Sequence, residues 1–245
     1  MLKSLSDNYR AAIFGATGGI GKAVTDRLAL DPRCGRIYAG SRHLQDSGNA
    51  KVRAFQFDLE DELSIANAAV AIERDGPVEI VLIATGFLHG QTIQPEKSWR
   101  QLDPETFSHV LAINTIGPAI IGKHLLPLLA RDRKSVFAAL SARVGSVSDN
   151  RLGGWHAYRA SKAALNMVIR NFAIELARTN GMAACVGLHP GTVDTHLSLP
   201  FQRGVQADRL FTPDFAADCL LSVVDRLTPD LSGRIFAWDG QEIPS

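Results

Sequence analysis

Hydrophobic and polar positions along the chain fall into two alternating regimes. Short, nearly continuous apolar runs recur at residues 9–14, 36–39, 52–57, 80–84, 135–140, 183–189 and 233–237. Runs without strict period-two patterning suit strands covered on both faces. Between them lie helical patterns. One spans residues 19–30 and is stopped by Asp31-Pro32, and another begins at the acidic run Glu60-Asp61-Glu62. A long one runs from Pro104 to about Ala130, where Pro118 and Pro127 should kink or break it, because proline lacks the N–H a helix needs. Further helices cover residues 158–178 and start at Pro213. Two longer loops, 86–103 and 190–212, interrupt the alternation.

Strand and helix in turn predict an α/β fold. The reading is a Rossmann-type, doubly wound parallel sheet of about seven strands with helices on both faces. Without a linker, low-complexity segment or internal repeat, residues 1–245 read as a single domain, with 190–212 as a lid over its ligands. Ligands should sit at the carboxyl ends of the strands, near the point where strand order reverses.

Charge and cysteine content narrow the function. Basic and acidic residues nearly cancel, 26 against 25, which argues against a nucleic-acid binder. The run Arg131-Asp132-Arg133-Lys134 reads as a solvated helix end. Cys34, Cys185 and Cys219 form no CxxC pair, so neither a disulfide framework nor a metal site is expected. No secretory leader is evident, and no stretch is expected to match the roughly 20 apolar residues of a membrane span. The cytoplasm is the expected location.

The first strand runs directly into Gly15-Ala16-Thr17-Gly18-Gly19-Ile20-Gly21 and then a helix. Such a loop lets backbone approach a pyrophosphate, and the helix start offers it free N–H groups. An acidic residue at the end of the second strand would bind the ribose hydroxyls of NAD. Ser41 stands there instead, followed by Arg42. A guanidinium can clamp a 2′-phosphate, so NADP(H) is expected over NAD, the alternative being that Arg42 points to solvent. Asp58, after the third strand, suits either the adenine amino group or a turn.

Tyr158 and Lys162 are four residues apart at the start of a helix and so share a face. A phenol is a poor base at neutral pH, but a nearby ammonium favours the phenolate. The pair can then give a proton to a carbonyl or take one from an alcohol. Phe87, Leu88, His89, Trp155, residues 197–201 and Leu210-Phe211 should form a largely apolar mouth, suited to an uncharged carbonyl compound. His89 and His196 read as bystanders.

The glycine loop, Asn114, a serine-rich loop, Tyr158-Arg159-Ala160-Ser161-Lys162 and Pro190-Gly191-Thr192-Val193-Asp194-Thr195 follow one another as in the short-chain dehydrogenase/reductase family, which this chain resembles over nearly its whole length. Gly145-Ser146-Val147-Ser148-Asp149-Asn150, Gly153-Gly154-Trp155 and the ending Ala237-Trp238-Asp239-Gly240 look like the sniffer/C-factor-type carbonyl reductases. The resemblance implies that Tyr158 is the general acid/base, that Lys162 tunes it and holds the nicotinamide ribose, and that Asn114 anchors a proton-relay water, unless it simply braces the interior. Pro190, Gly191, Val193 and Thr195 would line the nicotinamide, and Thr17, Ile20, Leu59, Ala84 and Gly86 the rest of the dinucleotide. It further implies a homo-oligomer, dimer or tetramer, built on residues 105–130 and 158–178.

Two positions depart from the family pattern. Ile83-Ala84-Thr85-Gly86 replaces Asn-Asn-Ala-Gly, so backbone or Thr85 contacts are expected to brace the sheet in place of the amides. Ala142 occupies the usual place of the serine that polarises the substrate oxygen. Ser141 is the preferred substitute and Ser146 the alternative. A dinucleotide-binding signalling protein of C-factor type with little turnover is the competing function.

Overall fold

A computed structural model describes residues 2–45 and 47–244. Seven strands form one parallel sheet: β1 (Tyr9–Phe14), β2 (Cys34–Ser41), β3 (Val52–Gln56), β4 (Ile80–Ile83), β5 (Ser135–Leu140), β6 (Ala183–His189) and β9 (Ile235–Ala237). Their order is β3-β2-β1-β4-β5-β6-β9, so the direction of winding reverses between β1 and β4. The short strands β7 (Thr192–Val193) and β8 (Leu210–Phe211) pair separately inside the 190–212 segment.

Apart from the edge strand β3, where Arg53 and Gln56 are exposed, the sheet has no solvated face, which explains the continuous apolar runs. In β1, Ala11 and Ile13 point into one core layer while Ala12 and Phe14 point into the other. The first layer is closed by α1 (Gly19–Leu30) and α6 (Pro213–Arg226). The second is closed by α2 (Glu62–Glu73), α4 (Gly117–Leu125) and α5 (His156–Thr179). Full burial of a side chain such as Ile13 contributes ~1.5–3 kcal/mol.

The long helix ahead of β5 is segmented as its prolines require. α3 (Pro104–Leu111), whose start is capped by Asp103 through the Thr106 N–H, passes into a π-helical turn at Ala112–Ile116. α4 then begins at Gly117 with Pro118 in its first turn, and Pro127 falls in a closing 3₁₀ turn, Leu126–Leu128. The wide turn before Pro118 spares the ring a clash with the preceding carbonyls. Contrary to the sequence expectation, the run Pro104–Leu128 is long and apolar enough by composition to cross a membrane. Here Ile121 and Leu125 are completely buried in the second layer, while Ile116 faces outward.

The basic run 131–134 is also not simply solvated. Arg133 Nε donates to Glu79 Oε1 at 2.6 Å, and Glu79 is buried at the start of β4. Lys134 Nζ donates to the carbonyls of Val224 and Asp225 at the end of α6. Both side chains tie the entry of β5 to its neighbours.

Candidate active site

The glycine loop lies between β1 and α1, beside the reversal of strand order. Gly15 adopts φ +90°, and the N–H groups of Gly15 and Ala16 both donate to the Gly40 carbonyl at 2.9 Å. A β-carbon on Gly21 would stand 2.1 Å from the Gly15 carbonyl oxygen, and one on Gly19 2.7 Å from Thr195 Cγ2. The loop therefore folds tightly onto α1, and the 190–195 segment closes against it. No side chain caps α1 at Gly18, so N–H groups of its first turn, including Gly19 and Ile20, remain available to an anion beside Thr17. This cradle fits a dinucleotide pyrophosphate.

At the end of β2, Ser41 is buried and donates to the His43 carbonyl at 2.6 Å. Arg42 is exposed and forms no ion pair among the described residues. Asp58 is exposed and builds a turn, accepting from the Glu60 N–H at 3.0 Å while its own N–H donates to Ser64 Oγ. The neighbouring Leu59 packs on Gly117 at the start of α4.

Tyr158 and Lys162 stand one turn apart on α5. Lys162 is buried; its Nζ donates to the Leu140 carbonyl at 2.8 Å and lies 5.8 Å from the centroid of the Tyr158 ring. Burial pushes the ammonium down to about 8 and the phenol up to about 12. The sequence expectation of a phenol already lowered by its lysine is thus corrected. In the protein alone, loss of solvent outweighs the ammonium, whose proton is directed at a carbonyl.

Asn114 occupies the π-helical turn, a local widening often found at functional sites. It is buried. Its Oδ1 accepts from the Phe87 N–H at 2.8 Å, and its Nδ2 donates to the Phe87 carbonyl at 2.8 Å and to Ser161 Oγ at 3.0 Å. A β-carbon on Gly86 would lie 3.7 Å from Asn114 Oδ1 and 3.9 Å from both Lys162 Nζ and Leu197 Cδ1. The end of β4, the π turn, α5 and the 190–212 segment therefore converge on one point. Ala84, beside it, meets Gly21.

The two candidate serines are placed differently. The Ser141 N–H donates to the Leu188 carbonyl at 2.8 Å, and its buried hydroxyl donates to Asn166 Oδ1 at 2.6 Å. Asn166 lies eight residues beyond Tyr158, a rise of ~12 Å along α5, whereas a helical tyrosine leans toward the helix start. The Ser141 hydroxyl is thus already engaged by a residue about two turns past Tyr158 on α5. Ser146 follows Gly145, whose missing β-carbon lets the loop approach Lys162; one there would be 2.8 Å from Lys162 Cβ. The Ser146 hydroxyl is buried and accepts from the Asp149 N–H at 3.1 Å.

The sequence profile of the family described as short chain dehydrogenase matches residues 10–205. The chain belongs to the short-chain dehydrogenase family. Among its relatives, the 1-hydroxy-2-glutathionyl-2-methyl-3-butene dehydrogenase of Rhodococcus sp. is 32% identical over 220 residues, 84% of this chain and 93% of that one. The C-signal protein of Myxococcus xanthus is 34% identical over 143 residues, 58% of this chain and 81% of that one. In fold, the NADPH-bound carbonyl reductase from chicken fatty liver superposes with a TM-score of 0.85 at 22% identity, covering 99% of this chain and 96% of its own. The carbonyl reductase Sniffer of D. melanogaster gives 0.84 at 19%, covering 98% and 100%.

Within this short-chain dehydrogenase the altered segment after β4 is braced through its backbone, the Ala84 N–H donating to the Phe14 carbonyl at 2.7 Å, and not through Thr85. The Thr85 hydroxyl is buried with no hydrogen-bond partner among the described residues, so it does not replace the absent amides. Asn114 does so by pairing with both backbone groups of Phe87. Past β6, Gly191 adopts φ +79° against the rings of Phe211 and Trp238, and the Val193 carbonyl accepts from Ser198 and Thr195. Phe211 thus braces the 190–212 segment beside Pro190, while His89, His196 and Phe201 pack together nearer Tyr158.

Glu96 was not legible as a site residue. It is buried in the 86–103 loop, and both carboxylate oxygens accept from the Ala157 N–H, at 3.2 and 3.3 Å, capping α5 from outside its own chain segment. A lone acidic residue in a polar loop carries no such signal; only the absence of a capping side chain before Tyr158 hints that one must come from elsewhere.

Proposed function

We propose that this short-chain dehydrogenase transfers a hydride between NADP(H) and an uncharged carbonyl or alcohol, with Tyr158 as general acid/base. The observation that carries the reading is the convergence of Tyr158, Lys162, Asn114 and Gly86 at the carboxyl ends of β4 and β5, next to the uncapped start of α1. When bound, the nicotinamide supplies or accepts the hydride. The exposed Arg42, without an ion pair among the described residues, and Ser41 in place of an acidic residue at the end of β2 favour the 2′-phosphate of NADP(H).

The chain's own groups move the proton. A phenol held protonated by burial is a donor, and Tyr158 delivers its proton to the substrate oxygen in the reductive direction. Lys162, anchored on the Leu140 carbonyl, keeps a positive charge under the ring as the phenolate forms. Asn114 fixes the loop after β4 and, through Ser161, the first turns of α5. We assign the polarising hydroxyl to Ser146, since Ser141 is committed to Asn166. The homo-oligomer implied by family resemblance would cover Ile116, Met167 and Ile174, which are exposed on the same helical surfaces. The signalling alternative finds no specific support in a site where the proton-handling groups stand together.

The test is cofactor oxidation with a panel of aldehydes and ketones, comparing NADPH with NADH. Wild type is expected to turn over with NADPH preferred, and Tyr158→Phe to lose ~10²-fold or more in kcat while still binding NADPH. Undiminished turnover by Tyr158→Phe refutes the assignment.

A further inference from the structure

Gly153, Gly154 and Trp155 are three consecutive left-handed residues, with φ of +64°, +65° and +49°. Glycine adopts this conformation freely. A tryptophan does not, and Asn8 is the other non-glycine residue with positive φ among those described. Several contacts hold Trp155 there. Its N–H donates to the Glu96 carbonyl at 2.5 Å, and its carbonyl accepts from the Arg159 N–H at 2.8 Å. The Glu96 carboxylate binds the Ala157 N–H two residues on, and Arg159 Nε donates to the Gly154 carbonyl at 3.0 Å. The buried Glu96 therefore grips both sides of the strained residue.

The strain sets the direction of the indole. Trp155 stands edge-on to Tyr158 at 6.2 Å between ring centroids and to Phe201 of the lid at 5.0 Å. Phe201 meets His89 at 5.5 Å, and His89 stacks on His196 at 5.7 Å. Three separate chain segments thus build one aromatic strip that starts at the phenol and contains no Lys, Arg, Asp or Glu. Flat π-faces favour a flat, conjugated partner over a puckered one of equal size.

We propose that Trp155 determines specificity, selecting planar conjugated carbonyl compounds, and that Glu96 is the positioning residue that aims it. The inference rests on the reductase reading and extends it to the shape of the substrate. The matched probes are benzaldehyde and cyclohexanecarbaldehyde, alike in size and differing in planarity. Comparing each variant with wild type on the same substrate cancels their intrinsic reactivities. Trp155→Gly removes the ring and places at 155 the residue best suited to its backbone. It is expected to lower kcat/KM for benzaldehyde roughly tenfold, mainly through KM, and to leave cyclohexanecarbaldehyde within about twofold. Trp155→Phe should fall between. Glu96→Ala should shift the ratio as Trp155→Gly does, and Glu96→Gln, which keeps an acceptor, should restore it.

Equal losses on both aldehydes in Trp155→Gly overturn the specificity claim. An unchanged ratio in Glu96→Ala overturns the positioning claim. If wild type turns over neither aldehyde, the reductase reading fails. The wall is then decided by calorimetric titration of the NADPH-loaded protein with benzaldehyde. Weaker binding by Trp155→Gly than by wild type supports it, and equal or undetectable binding in both overturns it.

Discussion

Replacing Gly21 by alanine tests whether the glycine loop is set by backbone crowding. The added β-carbon would sit 2.1 Å from the Gly15 carbonyl oxygen and 2.8 Å from its carbon, where ordinary contact begins at 3.4 Å. The loop must therefore retreat by about 1.3 Å, and the opposing atoms are backbone, so no side-chain rotation can absorb the shift. Overpacking of this kind costs ~3 kcal/mol at the upper end of its usual range. Alanine's better helix propensity in the first turn of α1 returns ~1 kcal/mol. A net loss of ~2 kcal/mol corresponds to a fall in Tm of ~4–8 °C for a chain of this size. Displacement of about 1 Å at a ligand-facing loop should also weaken NADPH binding by an order of magnitude or more. Gly18→Ala is the internal control, because its β-carbon meets that carbonyl at 3.4 Å. Gly19→Ala should fall between, since its obstacle is the tip of the Thr195 side chain. The assays are thermal unfolding without cofactor and fluorescence titration with NADPH. Gly21→Ala with the Tm and NADPH affinity of Gly18→Ala would falsify the argument.

The serines separate stability from chemistry. Ser141→Ala should lower Tm, through loss of ~1 kcal/mol at Asn166, with kcat nearly intact, whereas Ser146→Ala should reduce kcat ~10²-fold. The reverse pattern returns the role to Ser141. Thr85→Val removes a buried hydroxyl without a partner among the described residues while keeping its shape, so it should raise Tm by ~2–4 °C in unfolding without cofactor. Lys162→Met should abolish activity yet stabilise the fold at pH 7. Holding the ammonium at about 8 instead of 10.5 costs ~3 kcal/mol, against ~1 kcal/mol for the bond to Leu140. The unfolded chain binds the extra proton between those values, so wild type gains stability as pH rises from about 8 to 10.5. Unfolding measured across that window should show the advantage of Lys162→Met shrinking as pH rises. The Tyr158 contribution lies higher, present below 10 and lost toward about 12.

The sheet was legible because its inner strands are covered on both faces, so their residues are apolar regardless of the layer they enter, as Ala11 to Phe14 show. The loop at Gly15 to Gly21 and the pair Tyr158–Lys162 could be read because their spacing is local. What escaped depends on contacts distant in sequence. Asn166 claims Ser141 from 25 residues away, and Glu96 reaches Ala157 across 61. Nothing in the local pattern around Ser141 reports that its hydroxyl is already engaged. The electrostatic reading of Tyr158 missed for the same reason, since the sequence shows the ammonium four residues away but not how little solvent surrounds both groups. The prolines in 104–130 announced a break, while the wide turn that accommodates Pro118 needed the backbone.

That wide turn also sets the angular phase of everything after it. One extra residue per turn at Ala112–Ile116 offsets α4 by ~100° relative to a straight continuation of α3. Deleting a single residue there would restore ordinary winding and swing Ile121 and Leu125 out of the interior. The insertion that displays Asn114 is therefore mortgaged to the packing of a dozen residues downstream, and a one-residue frame slip would dismantle the proton-handling corner and the second core layer together.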